Sequence, residues 1–590
     1  MIVASSKDKF TNNLKQSGGL TPSYEDLNQY QGDLAGETTA LWLDDFPTVK
    51  QSVVESTSLN VGHNKLANHA WSPSLHYTVI GGLPLEEQAT WIIPVIQVSA
   101  KKSQFQSWEA KSGGNASLVR NLVKNSGIYV LASLASPLTS LVLAPFLTRN
   151  LSHAAYGALA VFNTTITLLA GLTQLGLYSA LFRSYNYDYE SQKDRKGVLS
   201  TVVVLLSLTS LCMTLAMIVT APWLSTLLFD DVSFSNAVRV AALVVLLQNL
   251  TVPGFAWMRA ENRAMFFSLL SIANLVISLG VNIILVGVFH MGIAGSLIAT
   301  GSGYALVGIC TIPIILLHAG LSLRFDIARG LLSFGLPNVF TYVSVWVLQL
   351  SDRFLLGRLG SLAQVASYSV AYSLGGLVSV VVLSPFTLAW PSAMFTIAKK
   401  DNAPHVFRLV FRWYSMILLF AAFALTLVSI AALYLFFPPV YHSSASIIPL
   451  IVISTVFYGI YNIFTTGISI QRKTWFAVVF TALSALVNIG FNLVLIPMYG
   501  SMGAALSTLL AYMLLAFVAY VVNQRLYPVP YEIGLFVIEL LVGIAFYAGS
   551  SVLAPRQGGY VAFGISLGTL VLYGGCLLLL GRWLSTSYKN

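Results

Sequence analysis

Arg263–Tyr304 reads RAMFFSLLSIANLVISLGVNIILVGVFHMGIAGSLIATGSGY, and Lys473–Tyr512 reads KTWFAVVFTALSALVNIGFNLVLIPMYGSMGAALSTLLAY. The two stretches share more than hydrophobicity. Arg263 precedes Asn282 by 19 positions, Lys473 precedes Asn492 by the same 19, and Gly280 matches Gly490. Beyond a two-residue gap, Gly292, Gly295, Thr300 and Tyr304 recur at identical spacing as Gly500, Gly503, Thr508 and Tyr512. Apolar helices mimic one another, but spaced identities on both sides of a gap mark an internal repeat, a signature of transporters. The copies lie about 210 residues apart, room for six membrane spans. Six is even, so both copies cross the membrane in the same direction. Gly292 and Gly500 suit a tight helix-to-helix turn. Gly295 and Gly503 place small residues where the next helix packs closely.

The rest of the chain agrees with a membrane reading. It is 56% hydrophobic and 9% charged, with a mean hydropathy of +0.75. Soluble domains carry about 25% charged residues, so lipid must cover most of this surface. From Ser126 onward, apolar stretches of about 20 residues recur, each long enough to cross a hydrocarbon core of about 30 Å. They lack the alternation of about 10-residue barrel strands. The expected fold is an all-α polytopic membrane protein of about fourteen transmembrane helices: two parallel six-helix lobes and two extra C-terminal helices. The spans fall roughly at 125–147, 156–180, 198–220, 236–258, 264–288, 292–317, 331–352, 364–390, 412–436, 446–469, 474–497, 501–522, 533–553 and 559–581. This divides the chain into a polar N-terminal extension (1–117, expected to be disordered), an N-lobe (118–325), a C-lobe (326–525), and spans thirteen and fourteen with a short tail (526–590).

Charge sets the orientation. With a cytoplasmic N-terminus, seventeen basic residues of the membrane region fall on inner segments and five on outer ones (Arg149, Arg239, Arg353, Arg358 and Arg556). By the positive-inside rule both termini are cytoplasmic, and the net charge of +10 reflects topology, not nucleic-acid binding. The first 124 residues hold ten Lys/Arg and eleven Asp/Glu and no run long enough to span. No signal-peptide pattern opens the chain. Cys212, Cys310 and Cys576 fall inside spans and form no disulfide or metal pattern. There is no Walker A sequence, and His63, His69 and His76 have no zinc spacing. No metal and no cofactor is expected.

Further stretches carry a family likeness. These are APFLTRNLSHAAYGALAVF (Ala144–Phe162), LSFGLPNVF (Leu332–Phe340), LSDRFLLGRLGSLAQVASYSVAY (Leu350–Tyr372) and the paired Gly-x-x-Gly turns. Together they resemble the polysaccharide transporter branch of the multidrug/oligosaccharidyl-lipid/polysaccharide exporter superfamily, including Wzx-type O-antigen flippases. The likeness covers about residues 118–590. The extension before it departs from the family, whose members begin just before the first span; it reads either as a genuine tail or as a mis-assigned start. The resemblance implies two lobes that open alternately around a central cavity, moving undecaprenyl-diphosphate-linked oligosaccharide across the cytoplasmic (inner) membrane. It implies surface polysaccharide synthesis, with membrane lipids as surroundings and a polysaccharide polymerase and chain-length machinery as partners.

A diphosphate headgroup needs cations, and arginine binds phosphate oxygens with a two-pronged fork. Arg149 ends the first span, and Asp352, Arg353 and Arg358 end the seventh. These places are equivalent in the two lobes and could ring the outer mouth of a cleft; interfacial snorkelling is the competing reading. Arg259 and Arg263 close the inner end of span four; Arg259 is a further headgroup candidate, with positive-inside topology the competing and favoured reading. Polar groups at mid-depth are costly unless they pair or line a cavity. Asn163, Gln174, Gln248, Asn249 and Thr251 are such groups, with Tyr458, Tyr461 and Asn462 opposite by the repeat. Cavity lining and interhelical bonding stand equal for them. Glu539 in span thirteen is the deepest acid and a coupling-ion candidate. Asp352 is the other, although its neighbour Arg353 reads as a neutralising partner.

The alternatives are a cation-coupled multidrug exporter of the same superfamily, a membrane glycan polymerase or ligase, and a non-transporting scaffold. The first usually carries an acid deep in its first span, and Asn125–Leu147 has none. The second needs a large outer loop, and the longest here is about 15 residues (Ala221–Asn236).

Overall fold

The structure, a computed structural model, describes residues 135–189, 191–553 and 560–587, with side chains over 142–189, 191–553 and 564–581. The polar N-terminal extension and the start of the first span lie outside the described residues.

Thirteen helices among the described residues are long and apolar enough to cross a membrane. With the described part of the first span they are α1 (Ala135–Asn150), α2 (His153–Gln174), α3 (Gln192–Val219), α4 (Val232–Ala260), α5 (Ala264–Val288), α6 (Gly292–Ala319), α7 (Phe325–Leu359), α8 (Leu362–Ile397), α9 (Ala403–Phe436), α10 (Ile448–Ile470), α11 (Trp475–Tyr499), α12 (Ser501–Leu526), α13 (Ile533–Leu553) and α14 (Tyr560–Ser587). The protein is thus a multi-pass membrane protein, helical throughout its spans among the described residues. The turn between α1 and α2 marks the upper face below, and its opposite the lower face.

The repeat appears as matched packing. In the N-lobe α4 packs on α6 and α5 on α6; in the C-lobe α10 packs on α12 and α11 on α12. Both matched turns bend through a glycine with positive φ, +60° at Gly292 and +57° at Gly500, conformations a side chain resists. Helices α2, α4 and α10 are mostly buried, whereas few residues of α5, α13 and α14 are. Helices α13 and α14 pair with each other and pack on α9. Glu532, just before α13, anchors the pair through ion pairs to Arg408 and Arg412 of α9.

Helices α2 and α7 join the lobes. Trp346 Nε1 of α7 donates to the Thr164 carbonyl of α2 at 3.1 Å, the Tyr342 hydroxyl donates to the Thr167 carbonyl, and Asn338 donates to Ser179 at 3.2 Å. Helix α2 breaks at Leu175 and Gly176, both left-handed, and a Cβ on Gly176 would lie 2.3 Å from the Gly335 carbonyl oxygen. At the upper end the Gly157 backbone lies so close to Leu362 at the start of α8 that a Cβ would fall 1.8 Å from its oxygen. These contacts position the C-lobe faces of α7 and α8 against the N-lobe.

Candidate functional site

Helix α7 carries Asp352 and Arg353 in a protein interior where an unmatched charge is costly. Asp352 is fully buried. Its carboxylate accepts from the Tyr368 hydroxyl of α8 at 2.7 Å, Asn492 Nδ2 of α11 at 2.6 Å and the Thr508 hydroxyl of α12 at 2.5 Å. Asn492 also donates to Asn488, one turn earlier, at 3.1 Å. Four helices of the C-lobe therefore meet on one acid.

Arg353 turns elsewhere. The two side chains form no ion pair. The Arg353 guanidinium lies 4.4 Å from the Tyr372 ring centre and 5.8 Å from that of Tyr368, and donates to the Gln349 carbonyl at 3.3 Å. It is 8% exposed. Tyr458 of α10 and Tyr512 of α12 continue this aromatic wall, with ring centres 5.1 Å apart, and Tyr461 follows at 5.9 Å from Tyr458. Cation–π contact stabilises a guanidinium without neutralising it, so Arg353 keeps its capacity for an anion.

The other sequence candidates separate into distinct places. Gln174 donates to Asn249 at 3.1 Å, and Asn249 donates to Thr173 at 2.6 Å and Ser210 at 2.9 Å. This network ties α2, α3 and α4 inside the N-lobe. Gln248 holds its amide oxygen buried without a hydrogen-bond partner among the described residues. Asn163 is exposed in the middle of α2. Asn462 donates back to the Tyr458 carbonyl of its own helix at 3.1 Å. Arg259 donates to the Tyr178 hydroxyl at 3.0 Å and covers the Phe267 ring at the lower end of the N-lobe. Arg263 lies over Trp257. At the upper face Arg149 is exposed, while Arg358 pairs with Asp230 and so bridges the lobes. Glu539 of α13 is fully buried, and neither carboxylate oxygen has a hydrogen-bond partner among the described residues. The Tyr573 hydroxyl of α14 donates to its backbone carbonyl at 3.2 Å.

Residues 122–397 match the family model described as polysaccharide biosynthesis protein. No curated protein matches the chain by sequence. Among solved structures it is similar to the lipid II flippase MurJ in an inward closed conformation, with a TM-score of 0.58 at 14% identity over 78% of this chain and 100% of that one. It is also similar to an inward-facing multidrug resistance MATE family transporter of the MOP superfamily, with a TM-score of 0.51 at 14% identity over 67% of this chain and 97% of that one. At this identity the likeness is one of fold, shared with a flippase and a multidrug transporter.

The residues that surround Asp352 and Arg353 were only half visible in the sequence. Asn492 and Thr508 stand out in the sequence only as repeat identities. Tyr368 and Tyr372 stood out only as part of a family-like run. Their N-lobe counterparts behave differently: Asn282 donates to the Ser278 carbonyl and Thr300 to the Ser296 carbonyl of their own helices. The repeat thus supplies the same polar pair to both lobes, and only the C-lobe sets an acid against it.

Proposed function

We propose that this protein is a flippase moving a lipid-linked oligosaccharide with a diphosphate headgroup across the cytoplasmic membrane, its upper face extracytoplasmic and both termini inside. A MOP-type flippase fold and the polysaccharide biosynthesis family support the general activity. Arg353 is the observation that carries the finer reading. A buried charge is costly unless it is paired, and this arginine, 8% exposed, has no acidic partner within ion-pair distance among the described residues. A planar fork held between tyrosine rings suits the oxygens of a phosphate. The neighbouring tyrosines offer hydroxyls and flat apolar faces to sugar rings.

In this reading Asp352 is the coupling group. Its carboxylate sits on three donors drawn from three helices, so loss or gain of a proton or cation there would alter how α7 packs on α8, α11 and α12. Glu539 is the second coupling candidate, buried apart from the lobes. Alternating access follows from the two lobes pivoting about the α2–α7 contact. A polysaccharide polymerase and chain-length machinery would take the product at the outer leaflet. The test is Arg353→Gln in cells lacking the native chain: surface polysaccharide should fall while protein level and insertion stay normal. Undiminished polysaccharide would remove Arg353 from the pathway. A cation-coupled multidrug exporter is the alternative, supported by the fold neighbour but by no acid in the first span.

A further inference from the structure

A second concave site lies at the upper face, apart from Arg353. It is a pocket of about 340 Å³ lined by His153 from the N-lobe and by Gln364, Ser367, Ser443, Ser446 and Ser501 from the C-lobe. That volume sits at the small end of ligand pockets, about 300–1,000 Å³. Its chemistry differs from that of the headgroup site: no lysine, arginine, aspartate or glutamate lines it. Each serine hydroxyl can donate and accept, and the imidazole and carboxamide do both as well. The Gln364 amide oxygen is buried without a hydrogen-bond partner among the described residues. Its carboxamide is wedged against the backbones of Gly360 and Gly500, where a Cβ would approach to 2.2 and 2.6 Å. Ile447 adds an apolar face.

The pocket wall is also a lobe contact. His153 Nε2 lies 3.1 Å from the Ser367 hydroxyl, and the imidazole meets the ring of buried Tyr441 edge-on at 4.6 Å. The Ser367 carbonyl in turn accepts from Ser444 at 2.8 Å. A ligand that hydrogen-bonds both His153 and Ser367 replaces a bond that crosses the lobes here.

We propose that this upper pocket binds the hydroxyl groups of a short, uncharged stretch of glycan at the exit side, and that its occupant competes with the His153–Ser367 contact. The inference rests on the flippase reading and deepens it: the headgroup and the glycan have separate sites, one cationic and one neutral. A ligand shifts a conformational equilibrium only through different affinity for the two states. Here that difference arises because the two walls belong to different lobes.

The test uses the full-length chain with Cys212, Cys310 and Cys576 replaced by alanine and Ser446→Cys added. Its labelling by a membrane-impermeant maleimide is compared in cells that assemble the lipid-linked glycan and in cells lacking the first assembly transferase. At two-thirds occupancy, labelling should be about threefold slower in glycan-producing cells, by simple mass action. Equal rates would overturn the proposal. Excess inorganic phosphate slowing the label in glycan-free cells would also overturn it, in favour of an anion site. As a second arm, Ser446→Trp fills the pocket from an exposed position and should lower surface polysaccharide several-fold at normal protein level. If labelling and Ser446→Trp show no effect while Arg353→Gln abolishes polysaccharide, the pocket is dismissed and the flippase reading stands. If removal of the whole chain leaves polysaccharide unchanged, both fall.

Discussion

Asn492 of α11 donates to the buried Asp352 carboxylate of α7 at 2.6 Å, joining the second copy of the repeat to the acid that only the C-lobe possesses. Asn282, its repeat mate, spends the same side chain on its own helix. The same polar residue thus meets an acid in one copy of the repeat and only its own helix in the other.

This asymmetry predicts unequal mutant costs. Asn492→Ala leaves a buried carboxylate short of a donor, which costs about 1–3 kcal/mol or more for a charged group. Asn282→Ala removes a local side chain-to-backbone bond, worth about 1 kcal/mol or less. Thermal unfolding of the two purified variants in the same detergent should separate them, with Asn492→Ala the lower, and only Asn492→Ala should reduce surface polysaccharide.

Arginine geometry at position 353 is the second expectation. Arg353→Lys keeps the charge but loses the planar fork that binds phosphate bidentately. Surface polysaccharide should rank native above Arg353→Lys above Arg353→Gln, measured at matched protein level. Equal loss in both variants would mean that packing on Tyr372, not charge, is what the site needs.

The close approach of α2 and α8 gives a third. Gly157→Val would drive a side chain into the Leu362 backbone, 1.8 Å from where a Cβ would stand. Overpacking of this kind costs about 1–3 kcal/mol. The upper ends of the lobes should separate, and a spin-label pair across α2 and α8 should report a longer distance than in the native chain.

How much of this was legible beforehand follows from what a sequence encodes in a membrane. Span number and lobe repeat were readable, because hydropathy marks spans and Gly292/Gly500 and Asn282/Asn492 mark register. The start of the first span lies outside the described residues. Which face of a span looks inward was not readable, because lipid tails and protein cores are equally apolar. Hence Gln174 and Asn249 could be placed at depth but not assigned to the N-lobe interior, and Asp352 could not be told to turn from Arg353 toward Tyr368, Asn492 and Thr508. Sequence neighbours on a helix face different ways, about 100° apart by helical geometry, so adjacency in the chain overstated their pairing. The His153 pocket needed four separate segments and left no local motif.

Glu532 supplies the pH-dependent expectation. Burial pushes its carboxyl up, but the hydrogen bonds from Arg412 and Arg408 and their charges outweigh this and hold it below the usual glutamate value. A folded-state value below the unfolded one gives stability that is full above the ordinary glutamate range and is lost as pH falls through the folded value. The attachment of α13 and α14 to α9 should therefore weaken on acidification. Glu532→Gln should flatten that part of the melting-temperature profile. Breaking a fully buried pair costs about 3–5 kcal/mol, and these side chains are 10–16% exposed, so a loss at or below the lower end is expected at neutral pH.

The central claim is movement of a lipid-linked saccharide from one leaflet to the other. Its most direct measurement is the leaflet distribution of that precursor in cells with and without this chain, read with a membrane-impermeant glycan-modifying reagent. The account predicts that cells lacking the chain accumulate precursor beyond the reagent's reach, and that the native chain, but not Arg353→Gln, restores access. Precursor equally accessible in the absence of the chain would contradict it.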